Sequence, residues 1–77
     1  MDTTTALDTI AAAHKWQLVF RNIEAEYYYV SELYVCSKCG MRQRRTLGPD
    51  SEWRVTMFTP DVMAVSIETA ARLRCKA

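Results

Sequence analysis

The chain has little to turn with and little to catalyse with: two glycines, two prolines and one histidine in 77 residues. There is no GxGxxG loop, no P-loop and no nucleophile elbow, and a lone histidine cannot make an HExxH pair. The sequence therefore reads as a non-enzymatic protein. It also lacks a long apolar run, since no stretch approaches the ~20 apolar residues that cross a bilayer. The start, MDTTTALDTI, is acidic where an export signal is basic. No membrane partner and a cytoplasmic location are the expectations. An excess of one charge is missing too: ten Lys plus Arg against nine Asp plus Glu leave +1. The resulting pI near 7.7 falls short of the value above ~9 typical of a dedicated nucleic-acid module.

What is present is an ordinary globular composition, 49% hydrophobic and 25% charged, which excludes disorder and predicts one domain over residues 1–77. A chain this short buries only about 60% of its unfolded surface, and its core alone supplies roughly 3–5 kcal/mol. A further staple is expected, and three cysteines offer one.

Alanine-rich TTTALDTIAAAH, with Thr and Asp as N-caps and Leu7, Ile10, Ala11 and His14 at helical spacing, predicts a helix over about residues 4–14. WQLVF suits either an extension of that helix or a strand, and RNIEAE a turn or strand edge. YYYVSELYVC, residues 27–36, is the most β-prone segment; CSKCG breaks it and MRQRRTL returns antiparallel. Gly48-Pro49-Asp50 makes a second turn into a strand over 53–58, WRVTMF. Thr59-Pro60-Asp61 reads as N-cap, first-turn proline and first-turn acid. A C-terminal helix should follow, with Met63, Ile67, Ala70 and Leu73 on its apolar stripe and Arg72, Arg74 and Lys76 in its last turn. Trp16, Trp53 and Phe58 are assigned to the core. The expected fold is α+β: a three- to four-stranded antiparallel sheet with a CxxC knuckle at a hairpin tip, flanked by N- and C-terminal helices.

Cys36-Ser37-Lys38-Cys39-Gly40 is the sharpest motif. Two thiolates this far apart can share one Zn²⁺ if the backbone turns tightly, and the glycine allows the positive φ that closes such a turn. A structural zinc needs four ligands, and only His14 and Cys75 remain as natural candidates, unless two chains share their CxxC pairs. Lys38, Arg42, Arg44 and Arg45 would lower the thiol pKa, so a dithiol redox pair is an alternative. It lacks the helix N-terminus expected of thioredoxin-like motifs. A disulfide scaffold leaves one cysteine over. The zinc deaminase pattern fails because Trp16 and Val35 stand where it needs Glu and Pro.

HKWQLVF followed by YVCSKCGMRQ resembles the short zinc-ribbon-like accessory proteins of bacteriophages and mobile elements, in which a ligand near an aromatic strand precedes a CxxCG hairpin. The resemblance spans about His14 to Phe58. It implies that His14, Cys36 and Cys39 are ligands; Ala12, where a paired ligand could sit, has no donor, so a complete site requires Cys75. It further implies a protein that binds, modulates or inhibits a host complex, such as a bacterial defence or transcription complex.

The charges are unevenly spread. Lys38, Arg42, Arg44 and Arg45 lie close together, as do Arg72, Arg74 and Lys76, and a cluster joining Cys39 to Cys75 would merge them into one basic face. Tyr27, Tyr28 and Tyr29 are consecutive and cannot all face one core. The expected contact set is Arg42, Arg44, Arg45, Lys38 and Tyr28, with a protein partner preferred and nucleic acid the alternative.

Overall fold

The computed structural model describes residues 2–75. Helix α1, Thr3–Ala13, begins where the Asp2 carboxylate accepts the Thr5 N–H at 2.8 Å, and it ends as His14 turns extended. The Trp16 indole N–H donates to the Ile10 carbonyl at 3.3 Å, satisfying one of the acceptors left open at the helix end. Strands β1 (Trp16–Glu24), β2 (Tyr29–Cys36), β3 (Arg42–Leu47), β4 (Trp53–Phe58) and β5 (Ala64–Val65) form one antiparallel sheet in sequential order. Helix α2, Ile67–Arg72, closes the described chain, capped by the Ser66 hydroxyl, which accepts the Thr69 N–H at 3.1 Å. No helix among the described residues is long and apolar enough to cross a membrane.

The α+β class, the flanking helices and the CxxC hairpin are as the sequence implies, with three differences. WQLVF and most of RNIEAE join one nine-residue strand, β1. Residues Ala25–Tyr27 form a 3₁₀ turn, and Tyr28 caps it in the left-handed region at φ 50°, so β2 starts only at Tyr29. Thr59-Pro60-Asp61 starts no helix: it turns β4 back into β5, giving five strands where three or four were expected, and the helix waits for Ser66. The same residue types serve both uses, because Pro at the second position suits a β-turn as well as a helix start.

That turn is tightly held. Thr59 N–H donates to Met63 O at 2.9 Å, Val62 N–H to Thr59 O at 2.8 Å, and Met63 N–H to the Thr59 hydroxyl at 3.1 Å. It forces Val62 to φ 64°. For a β-branched residue this conformation costs roughly 1–2 kcal/mol.

Register assigns the faces. The core face carries Trp16, Cys36, Gln43 and Met57 in adjacent positions, and both helices pack on it around Ile10, Cys36, Met41, Met57 and Ala70. Between Leu18 and Phe20 the pairing shifts by one residue at Val19. This bulge puts Arg21 opposite Glu32 on the core face, where its guanidinium donates to the buried carboxylate, with Nε at 2.8 Å. Phe20 is turned to the other face beside Leu33.

Two short helices cannot cover such a sheet. The 11 residues of α1 extend about 16 Å, whereas the nine-residue β1 runs about 30 Å. Trp53, expected in the core, is 50% exposed at the uncovered end, and Phe58 is half-buried on the opposite face. The molecule exposes 5478 Å², against about 4,800 Å² for a typical globule of its mass. The surplus is sheet surface without a cover.

Candidate metal centre

His14, Cys36, Cys39 and Cys75 converge, their donor atoms all within 4.8 Å of one another. Local structure explains each. The β2–β3 hairpin closes where Cys36 N–H donates to Met41 O at 2.8 Å and Gly40 N–H to Cys36 O at 3.0 Å, with Gly40 at φ 82°. Ser37 N–H donates to Lys15 O at 2.9 Å, tying the hairpin tip to the α1–β1 junction and so to His14. Cys75 arrives three residues past the helical end of α2, which packs against α1. The Sγ atoms of Cys36 and Cys75 are 3.5 Å apart, and Cys39 Sγ lies 3.3 Å from His14 Nδ1.

Burial and electrostatics separate the donors. Cys36 is buried, and burial alone would raise its thiol pKa; N–H groups of the knuckle, from Cys39 and Lys38, and the nearby Lys15 and His14 outweigh this and bring it down to about 5. Cys75 is pushed up to about 11 by desolvation and by the neighbouring Cys36 and Cys39. One thiolate forms readily and another is resisted, as expected of sulfurs packed together. His14 is 7% exposed, and its Nε2 has no hydrogen-bond partner among the described residues. A histidine so placed is a poor packing element; what it offers is Nδ1, directed at the sulfurs. The four side chains could together hold one metal ion.

Gly40→Ala should test the knuckle. An added Cβ would meet only Pro60 Cβ at an ordinary 3.7 Å, so the penalty is in the backbone. We expect a loss of about 1–2 kcal/mol, read by thermal unfolding together with weaker metal retention under chelator competition. Unchanged unfolding and retention would contradict this role for the turn.

Of the expected contact residues, Arg42 and Arg44 come together and the others point elsewhere. Lys38 is exposed at the hairpin tip, and Arg42 and Arg44 point to the sheet face away from the helices. Arg45, their neighbour, points the opposite way because adjacent strand residues alternate. Its guanidinium lies 5.6 Å from the centre of the Tyr34 ring, and it donates from Nε to the Gln43 amide oxygen at 3.2 Å in that amide's favoured orientation. Arg45 is thus engaged internally. Tyr28, 77% exposed, sits at the far end of the sheet beyond β1. Arg74 shares a cleft with Cys39, Met41, Asp61 and Leu73, on the hairpin-tip side that also carries Lys38, while Arg42 and Arg44 lie on the sheet face away from the helices; Lys76 lies outside the described residues. The Arg21–Glu32 pair was not anticipated, because only the bulge at Val19 aligns the two.

Compared with known proteins, the chain matches no family model, no curated protein and no solved structure.

Proposed function

We propose that the chain is a non-enzymatic interaction module held in shape by one structural zinc ion, with His14, Cys36, Cys39 and Cys75 as ligands. The observation that carries this is the convergence of those four donors within 4.8 Å. Zinc bonds of ~2.3 Å to sulfur and ~2.0 Å to nitrogen give tetrahedral edges of roughly 3.5–3.8 Å; the Cys36–Cys75 and Cys39–His14 donor pairs stand at 3.5 and 3.3 Å. Three thiolates and an imidazole, with no carboxylate, are a donor set that favours zinc over magnesium or calcium. Four protein ligands leave no position for a reacting water, so the ion staples rather than catalyses. The burial of Cys36 supports the same reading against a redox pair, since an attacking thiolate must reach its disulfide partner.

With the helices on one face, the surface left for a partner is the other face, where Arg42 and Arg44 are exposed. The partner is a protein. Origin in a bacteriophage or mobile element, and modulation or inhibition of a host defence or transcription complex, belong to the same proposal and are supported by the sequence resemblance over His14 to Phe58.

Native mass spectrometry of the untagged, reduced protein tests the metal. One zinc per folded chain, released on denaturation and diminished in Cys75→Ser and His14→Ala, is expected; folded protein without metal would contradict the proposal. Function is read by quantitative capture from host extract. A host protein retained by the wild type and lost by Arg42→Glu/Arg44→Glu at unchanged zinc content is expected, and capture indifferent to the double substitution would move the interface elsewhere.

A further inference from the structure

The uncovered sheet face carries a cleft of about 260 Å³ lined by Leu33, Arg42, Arg44, Phe58 and Val62. Register explains the grouping: Leu33 pairs with Arg44, and Arg42 with Phe58, so the four side chains project from neighbouring positions of β2, β3 and β4. The β4–β5 turn adds Val62 at the rim, 54% exposed. Phe20, on the edge strand opposite Leu33, extends the apolar floor.

Two independent features point to a ligand here. The first is charge. None of the side chains that β2, β3 and β4 direct to this face is a carboxylate, and Arg42 and Arg44 have no ion-pair partner among the described residues. Arg54, on the same face, is paired with Asp50 at 2.6 Å. Two free guanidiniums beside an apolar hollow are complementary to carboxylates flanking an apolar side chain. The second is Val62. Its left-handed backbone suits Gly or Asn, yet the position holds a β-branched residue whose side chain is largely exposed and so gains little from the fold. Strain kept where the fold draws no benefit marks a side chain used outward.

We infer that this cleft binds an acidic segment of a partner protein, one apolar side chain entering between Leu33, Phe58 and Val62 while flanking carboxylates meet Arg42 and Arg44. The inference rests on the proposed interaction role and specifies the partner's chemistry. The surroundings favour a peptide over single-stranded nucleic acid: in the cleft itself the carbon surface beside the arginines is mainly aliphatic and the aromatic Phe58 is half-buried, the exposed Phe20 standing outside that lining on the edge strand, whereas base stacking needs successive open aromatic faces.

The test is selection of short peptides from a random display library on the zinc-loaded, folded protein, with the zinc content of the same preparation measured. The expected result is enrichment of sequences in which Asp or Glu flank a Leu, Ile, Met or Phe. The leading synthetic peptide should bind at least about tenfold more weakly to Arg44→Glu and to Val62→Asn. Val62→Asn should unfold at the wild-type temperature or higher, so its lost affinity cannot be ascribed to lost fold. Enrichment without acidic bias, affinity unaffected by both substitutions, or no enrichment would each overturn the inference. So would binding of an oligothymidylate, abolished by Arg44→Glu, in the absence of acidic peptides. Zinc present without peptide binding defeats this inference alone; peptide binding by folded protein without zinc defeats the metal reading alone.

Discussion

Stripping the proposed zinc with a strong chelator at neutral pH should abolish the cooperative unfolding transition of this domain. Among the described residues, the fully buried apolar side chains are Ala6, Ile10, Cys36, Met41, Met57 and Ala70, and one of these is itself a proposed ligand. Burial of a large aliphatic side chain contributes about 1.5–3 kcal/mol, and three of the six are an alanine or the cysteine, so the core is thin even for a chain of this size. A structural zinc site contributes on the order of 10 kcal/mol or more. A zinc ion there would also join the end of α1, the β2–β3 tip and the segment after α2. Without it, three sulfurs remain crowded, with Cys75 resisting ionisation up to about 11. The chelated protein should lose its sigmoidal melt by circular dichroism and the dispersion of its amide proton spectrum, and both should return when zinc is added back. A chelated, metal-free sample that melts cooperatively at the original temperature would contradict the account.

Ile10→Ala should be the most damaging single substitution outside the ligands. Ile10 is 1% exposed and lies in the cluster with Cys36, Met41, Met57 and Ala70, so it is the main apolar link between α1 and the sheet. Truncating a buried isoleucine to alanine removes about 2–5 kcal/mol through lost burial and the cavity left behind. In a domain of this size that is a fall in Tm of roughly 10–30 °C. The control is Leu18→Ala, at a 47% exposed position on the edge strand, where a change within about 0.5 kcal/mol is expected. Measured on zinc-loaded protein, Ile10→Ala should melt far below Leu18→Ala. Equal melting temperatures would mean that the helix is held by the metal and not by its packing.

Much of the site was legible because its chemistry is local. CxxCG specifies a turn, a positive φ at Gly40 and two convergent sulfurs within five residues, and His14 and Cys75 followed as the natural remaining donors. The opposite orientation of Arg44 and Arg45 was also available, since strand neighbours alternate, but the two were grouped by proximity in sequence. Other features left no local signal. Nothing in LVF marks Val19 as a bulge, yet the bulge decides that Arg21 meets Glu32 and that Phe20 faces outward. TPDV supports a helix start and a β-turn equally well; pairing of Met57 with Val65 selects the turn and forces Val62 into its left-handed conformation. Trp53 looked like core because of its residue type, and is half exposed because helices this short end before reaching it.

The central claim is that one zinc ion is held by three sulfurs and one nitrogen from a single chain, and X-ray absorption at the zinc edge tests it most directly. The account predicts a first shell of three sulfurs at ~2.3 Å and one nitrogen at ~2.0 Å, with the nitrogen scatterer lost in His14→Ala and one sulfur lost in Cys75→Ser. A shell of four sulfurs, which two chains sharing Cys36 and Cys39 would give, or one containing oxygen in the wild type, would contradict it.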